Sequence, residues 1–234
     1  MVSELNIFNA PLSTLDRKKG TVINTINAHS YNVAMKDKNF QDALKNGEIL
    51  IPDGIGIVML MRLFKGIKLK KIAGADLFYY EMNRLNSTGG KCFFLGSSDA
   101  ILAKIRQRAA MEFPNVIVQT FSPPYVKEFS KEENERMIRE VNAFEPDVLF
   151  VGMTAPKQEK WVYEHFTELK ASHIGCIGAV FDFYAGTVKR APQWMINSGL
   201  EWFYRLYKEP KRMWRRYLVG NVLFIWNIVR HEIF

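Results

Sequence analysis

Apolar residues along this chain fall into two alternating rhythms. Short, dense or alternating runs at 21–27, 49–51, 91–95, 116–122, 147–152 and 173–180 are rich in Val, Ile and Phe and predict strands. Between them lie longer segments with apolar residues three or four apart, predicting helices at 28–36, 40–45, 54–64, 76–85, 100–112 and 131–143. Ser130 and Glu133 open the last of these with the Ser-x-x-Glu pattern of a capping box. Strand and helix alternate at least five times. That order predicts an α/β fold, with a mostly parallel, Rossmann-like sheet and helices on both faces.

In such a sheet, ligands bind at the carboxyl ends of the strands. The second run, Ile49-Leu50-Ile51-Pro52, stops at Asp53, and Gly54-Ile55-Gly56 then opens a helix. Pro-Asp-Gly alone is a good type I turn. The same sheet edge, however, also receives Thr25 and Asn27 from the first strand and Gly96-Ser97-Ser98 from the third. Lys157 and Gln158 follow the fifth, beside Pro156 at a helix start. Thr25 and Asn27 are two apart and project together if the strand continues, although Asn27 equally suits a helix cap. Gly96-Ser97-Ser98 precedes a helix whose free N–H groups suit an anion. Asp76 is expected to serve its own helix start, and Lys71 lies in a basic loop where a solvated charge is the ordinary case.

Charge changes the picture at the carboxyl end. The 234 residues carry a net +8, and from Gly199 onward seven Lys/Arg face three Glu, so half the excess sits in the last 36 positions. Nine of the 31 aromatic residues lie there too, with Trp202, Phe203, Leu206, Tyr207, Met213, Trp214, Tyr217 and Leu218 at helical spacing. This predicts two parts, an α/β domain at 1–198 and a basic, aromatic, amphipathic helical appendage at 199–234, whose make-up suits docking on anionic lipid but equally a helix packed on the sheet with a solvated basic face. Tyr217 to Val229 is too short and too interrupted by Asn221 and Asn227 to span a bilayer. The first residues lack the pattern of a signal peptide. Cys92 and Cys176, both in apolar runs, are expected to be buried free thiols of a reducing compartment.

Several chemistries are disfavoured by what the chain lacks. The start of a dinucleotide fingerprint at Gly54 and Gly56 meets Met59 at its third glycine. Gly89-Gly90-Lys91 has neither the spacing nor the Ser/Thr of a phosphate loop. The four histidines are isolated and no Asp-x-Asp pair exists, so neither a metal nor another cofactor is expected. A carboxylate facing hydrogen-bonding groups and an anion cradle suits transfer from a nucleotide-activated donor, with the carboxylate as general base. The competing readings are a nucleotide-dependent oxidoreductase or epimerase on a similar fold, and a basic nucleic-acid-binding module. Basic residues interleaved with large apolar ones argue against nucleic acid.

Thr25-x-Asn27, Ile51-Pro52-Asp53-Gly54-x-Gly56, Ala73-Gly74-Ala75-Asp76-Leu77 and Ala155-Pro156-Lys157-Gln158-Glu159-Lys160-Trp161 occur in this order. Phe181-Asp182-Phe183-x-Ala185-Gly186, Gly199-Leu200-Glu201-Trp202 and Trp214-Arg215-Arg216-Tyr217-Leu218-Val219-Gly220-Asn221 follow. Together they resemble the TagA/WecG/CpsF glycosyltransferases over roughly residues 20 to 225. The resemblance implies transfer of N-acetylmannosamine or its uronic acid from a UDP-sugar to an undecaprenyl-diphosphate-linked sugar. The setting it implies is cytoplasmic and peripheral, on the inner face of the cell membrane, with a homo-oligomer possible. It implies inversion at the anomeric carbon with Asp53 as base, Thr25 and Asn27 as pocket contacts, and Gln158 near the donor. It also implies Arg205, Arg212 and Arg215 as the cations of an appendage that closes over the site. At the position of Lys71 the family often has Arg; lysine keeps the charge for a phosphate but not the bidentate fork.

Overall fold

The computed structural model describes residues 5–15 and 20–230. Positions 1–4 of the amino-terminal stretch and 231–234 of the tail, Glu232 among them, lie outside. Six strands form one parallel sheet in the order β2-β1-β6-β5-β3-β4. These are β1 Thr21–Ile26, β2 Ile49–Pro52, β3 Lys91–Gly96, β4 Ile117–Phe121, β5 Val148–Gly152 and β6 His173–Cys176. The expected α/β, Rossmann-like architecture is present. The sixth strand is shorter than its apolar run, because Gly178 turns the chain with φ +49° and Val180 already begins a helix.

Side-chain alternation shows why the strands read as continuous apolar runs. Cys92, Phe94, Val148 and Phe150 point to one face, packed by α4 (Gly74–Thr88), α5 (Asp99–Glu112) and α8 (Val180–Tyr184). Phe93, Leu95, Leu149 and Val151 point to the other, packed by α6 (Lys131–Phe144) and α7 (Lys157–His165). Both faces are covered, so polar alternation is not needed. A third cluster wraps the β2 edge. It joins Ile26 and Leu50 to α1 (Ala28–Ala34), α2 (Lys38–Asn46) and α3 (Ile55–Lys65).

The tail packs into this third cluster. After the short α9 (Gln193–Asn197), α10 (Glu201–Lys208) ends at Glu209, whose φ −133° and ψ 60° break the helix. Then α11 (Pro210–Trp214), a π-helical turn (Arg215–Val219) and α12 (Gly220–Ile228) run on continuously. Phe224 and Ile228 are buried there, Phe224 edge-on to Tyr31 at 5.3 Å between ring centres. Asn32 Nδ2 donates to Gly220 O at 2.7 Å and Asn227 Nδ2 to Asn32 Oδ1 at 3.0 Å, which fixes the register of α12 on α1. Among the described residues no helix is long and apolar enough to cross a membrane.

Candidate active site

The pairing of β1 with β2 places the central carboxylate. Thr25 lies opposite Ile51 and Ile26 opposite Pro52, and the Asp53 N–H donates to Ile26 O at 2.8 Å. Asp53 therefore leaves the sheet beside Asn27. Gly54 follows with φ +147°, and a Cβ there would come within 3.3 Å of the Asn27 Cβ. Glycine is required for this approach as well as for this backbone.

Asp53 stays partly buried just past the end of β2, and its carboxylate accepts no hydrogen bond among the described residues. Burial pushes its pKa up to about 6. That value is the balance of burial, the largest cause, with the negative charges of Glu201 and Asp76, which raise it, and the cations Lys71 and Arg190, which pull it down. Those two cations are engaged elsewhere: Lys71 Nζ meets Glu201 Oε2 at 3.2 Å and Arg190 Nε meets Glu201 Oε1 at 3.3 Å. Glu201 thus holds both cations and stands as a second carboxylate near Asp53. Asp76, as expected, caps its own helix by accepting from Ala73 N–H at 2.8 Å.

The other expected residues take distinct places. Asn27 is the N-cap of α1, its Oδ1 accepting from His29 and Ser30 N–H at 3.0 Å each, so the capping reading describes its carbonyl. Thr25 is partly buried one position inside the end of β1. Gln158 is buried; its Oε1 accepts from Met153 N–H at 3.2 Å and its Nε2 donates to Glu159 Oε1 at 2.8 Å, which pins the β5–α7 loop. Gly96 and Gly152 end neighbouring strands so closely that a Cβ on Gly96 would sit 2.5 Å from Gly152 O. Ser97 holds φ +60°, uncommon for a side-chain-bearing residue, and Ser98 leaves the start of α5 without a side-chain cap. Asp99 already brings negative charge to that turn. Four strand spacings separate β3 from β2, so the Ser97 turn stands roughly 19 Å from Asp53.

The tail arginines do not share one face. Arg205 lies over the Phe183 ring at 5.5 Å with its Nε buried and unpartnered. Arg212 pairs with Glu209 at 2.7 Å, and Arg215 is exposed and stacked on Trp214. Arg216, which the sequence reading passed over, turns inward instead. Its Nε is also buried without a partner, and its charge is felt by both Asp53 and His29. Burial depresses the Arg216 pKa, and burial beside that guanidinium lowers His29 to about 4, leaving the imidazole neutral. His29, Lys36, Arg212, Arg215 and Arg216 line an open cavity of about 530 Å³ between α1 and the tail. Its acidic lining residue, Asp37, already receives Phe40 N–H and Lys160 Nζ. A base of raised pKa is thus coupled through charge to an inward-facing guanidinium whose Nε is unpartnered. This arrangement can take a proton at one point and hold anionic oxygens close by. Glu201, Arg190 and Arg216 were missed because what marks them is contact across the fold.

Comparison with known proteins places the chain in a family. The family model described as "Glycosyl transferase WecG/TagA/CpsF family" matches residues 2–234. An N-acetylglucosaminyldiphosphoundecaprenol N-acetyl-beta-D-mannosaminyltransferase of Bacillus subtilis (strain 168) is 35% identical over 206 residues, 87% of this chain and 77% of the relative. The protein of that name from Bacillus spizizenii is 32% identical over 232 residues, 98% of this chain and 88% of the relative. One from Staphylococcus aureus (strain MW2) is 25% identical over 230 residues, covering 98% and 86%. With the parallel sheet, the carboxylate after β2 and a family match across nearly its whole length, the chain belongs to the WecG/TagA/CpsF family of glycosyl transferases.

Proposed function

We propose that this enzyme transfers N-acetylmannosamine, or its uronic acid, from a UDP-sugar to an undecaprenyl-diphosphate-linked sugar in cell-surface polymer synthesis. The relatives' names specify an N-acetylglucosaminyl-diphospho-undecaprenol acceptor and a β-mannosaminyl product. The observation that carries the reading is Asp53, a carboxylate with no hydrogen-bond partner among the described residues, held at about 6 just past the carboxyl end of β2. A base of that pKa is largely ionised at neutral pH yet strong enough to accept the proton of an attacking hydroxyl. Inverting transfer needs one such base, with the leaving diphosphate on the far side of the anomeric carbon.

That diphosphate lies within a few bonds of the reacting carbon, so we assign it to Arg216, whose charge couples to Asp53, and to Arg205, with Arg212 and Arg215 lining the neighbouring cavity. Ser97 and Ser98, roughly 19 Å away, are assigned to the nucleoside end of an extended donor. Thr25, Asn27 and the Gln158 loop line the edge between. Lys71 acts through Glu201 unless a phosphate displaces that pair. Protein cations replace a metal in neutralising the leaving group. The tail brings these arginines and its aromatic face to the membrane that contains the acceptor.

The test incubates purified protein with a panel of UDP-sugars and an N-acetylglucosaminyl-diphospho-lipid, following disaccharide formation. Product with UDP-N-acetylmannosamine or its uronic acid is the expected result. Absence of product with every donor would end this reading.

A further inference from the structure

The helix that begins two residues after Asp53 has an unpartnered face. Ile57, Leu60 and Met61 of α3 are buried in the β2-edge cluster. Ile55, Met59 and Leu63, spaced four apart, form a stripe on the opposite side, with Met59 56% and Leu63 75% exposed. Phe64 and Ile67 are also exposed near the helix end, where Gly66 stops the helix with φ +65°. The neighbouring α12 does the same. Its Phe224 packs where a Cβ on Gly56 would meet it at 3.3 Å, while Val222 and Trp226 stand 67% and 61% exposed. Each of these two packed helices therefore exposes several large apolar side chains, more than scattered exposed residues account for.

Charge identifies the occupant. Between Gly54 and Ala75 there is no Asp or Glu, whereas Arg62, Lys65, Lys68, Lys70 and Lys71 all fall within ten residues. Arg62, Lys65, Lys68 and Lys70 are exposed around the apolar stripe. A second copy meeting this patch through a two-fold axis would set these cations against themselves. An anionic bilayer satisfies both features, taking apolar side chains below the headgroups and lysines at their level. We propose that α3 and its basic loop are a second membrane-docking face, which acts with α12 to seat the enzyme on anionic lipid. The catalytic carboxylate is then tied to the bilayer surface by the helix that follows it. This rests on the reading that the acceptor lies in a membrane, but its test reads binding rather than turnover.

Cys92 and Cys176 are buried, so a cysteine at position 63 can be labelled selectively in the full chain. An environment-sensitive dye on Leu63→Cys should shift to the blue on phosphatidylglycerol-containing vesicles and not on pure phosphatidylcholine. Met59→Glu with Leu63→Glu should weaken sedimentation with those vesicles about tenfold or more. Lys68→Glu and Lys70→Glu should each weaken it about fivefold or more. Melting temperature, and transfer to a water-soluble short-chain acceptor, should be unchanged in all of them. A dye that ignores vesicles while the protein binds them, or double-Glu binding equal to wild type, would overturn the proposal. So would a wild-type dimer in analytical ultracentrifugation that the double-Glu variant dissociates, since a second copy would then cover the face. Vesicle binding that behaves as expected in a protein without transferase activity would sink only the functional reading.

Discussion

Replacing Asp53 by Asn should abolish transfer and stabilise the protein, and both effects follow from one number. Burial and Glu201 hold the Asp53 carboxyl at about 6 instead of its ordinary 3.8. At roughly 1.4 kcal/mol per pH unit, that difference sets a ceiling of about 3 kcal/mol. The sign is fixed by which state binds the proton more tightly. The folded protein does, so below pH 3.8 both states are protonated and the site costs little. As pH rises towards 6 the unfolded chain ionises first, and the penalty on the folded state is complete above that. Asn carries no such penalty. The stability of Asp53→Asn relative to wild type should therefore be near zero at pH 4 and reach up to about 3 kcal/mol at pH 8. For a chain of this length that is a rise of roughly 6–10 °C in melting temperature. Asp53 keeps some solvent exposure, so the lower part of that range is the better expectation.

Turnover should meanwhile fall by about 10²–10⁴, because the amide keeps the shape and cannot take the acceptor's proton. The assays are thermal melts of both proteins at pH 4 and pH 8, and initial rates with both substrates saturating. Equal melting at both pH values would show that Asp53 is not held against its ionisation. Turnover within a few-fold of wild type would remove it from the chemistry.

Glu201→Gln removes a charge that raises Asp53 and frees two cations that lower it, so the acid limb of kcat/KM should move below pH 6; a limb that stays or rises refutes the coupling. Arg216→Ala should lower kcat/KM by about 10²–10³ with little change in melting temperature, and Arg216→Lys should restore only part; activity near wild type would show that the unpartnered Nε faces no substrate. Turnover is expected to survive EDTA, since the diphosphate is assigned to guanidinium groups, and a loss restored by Mn²⁺ would contradict that. Phe224→Ala should cost about 3–5 kcal/mol in urea unfolding, because the ring closes the cluster over Tyr31, Ile57 and Leu60; a cost below about 1 kcal/mol would mean the tail contributes little to the core.

The sheet and its key carboxylate were legible because each rests on local pattern. Buried parallel strands read as apolar runs, and the run at Ile49 ends on Asp53 whatever the rest of the chain does. The strand order was not legible, and with it went the spacing between Asp53 and Ser97. Only the order β2-β1-β6-β5-β3-β4 shows that four strand spacings intervene. The tail arginines illustrate a different loss. Continuing one helical phase from Arg205 puts Arg212 and Arg215 nearby, but Glu209 breaks the helix and Arg215–Val219 forms a π turn. Either change shifts the helical phase, so that Arg212, Arg215 and Arg216 line the cavity beside α1 while Arg205 lies over the Phe183 ring. Lys71 and Glu201 are 130 residues apart and meet only in the fold.

That last contact joins the tail to the chemistry. A lone buried carboxylate beside Lys71 and Arg190 would pair with them, its pKa would fall, and it would become a weaker base. Glu201 prevents this by occupying both cations and adding its own repulsion. Glu201 stands in the first turn of α10, so the basicity of Asp53 depends on the tail being in place. The same tail supplies the two guanidinium groups with unpartnered Nε, Arg205 and Arg216. Proton acceptance and charge neutralisation, which must act together at the anomeric carbon, are thus both conditional on one segment. That segment also carries Trp226 and Val222 on its outer face. On the proposed function, a membrane that stabilises the seated tail would strengthen the base and assemble the anion site together, and so favour transfer at the lipid surface.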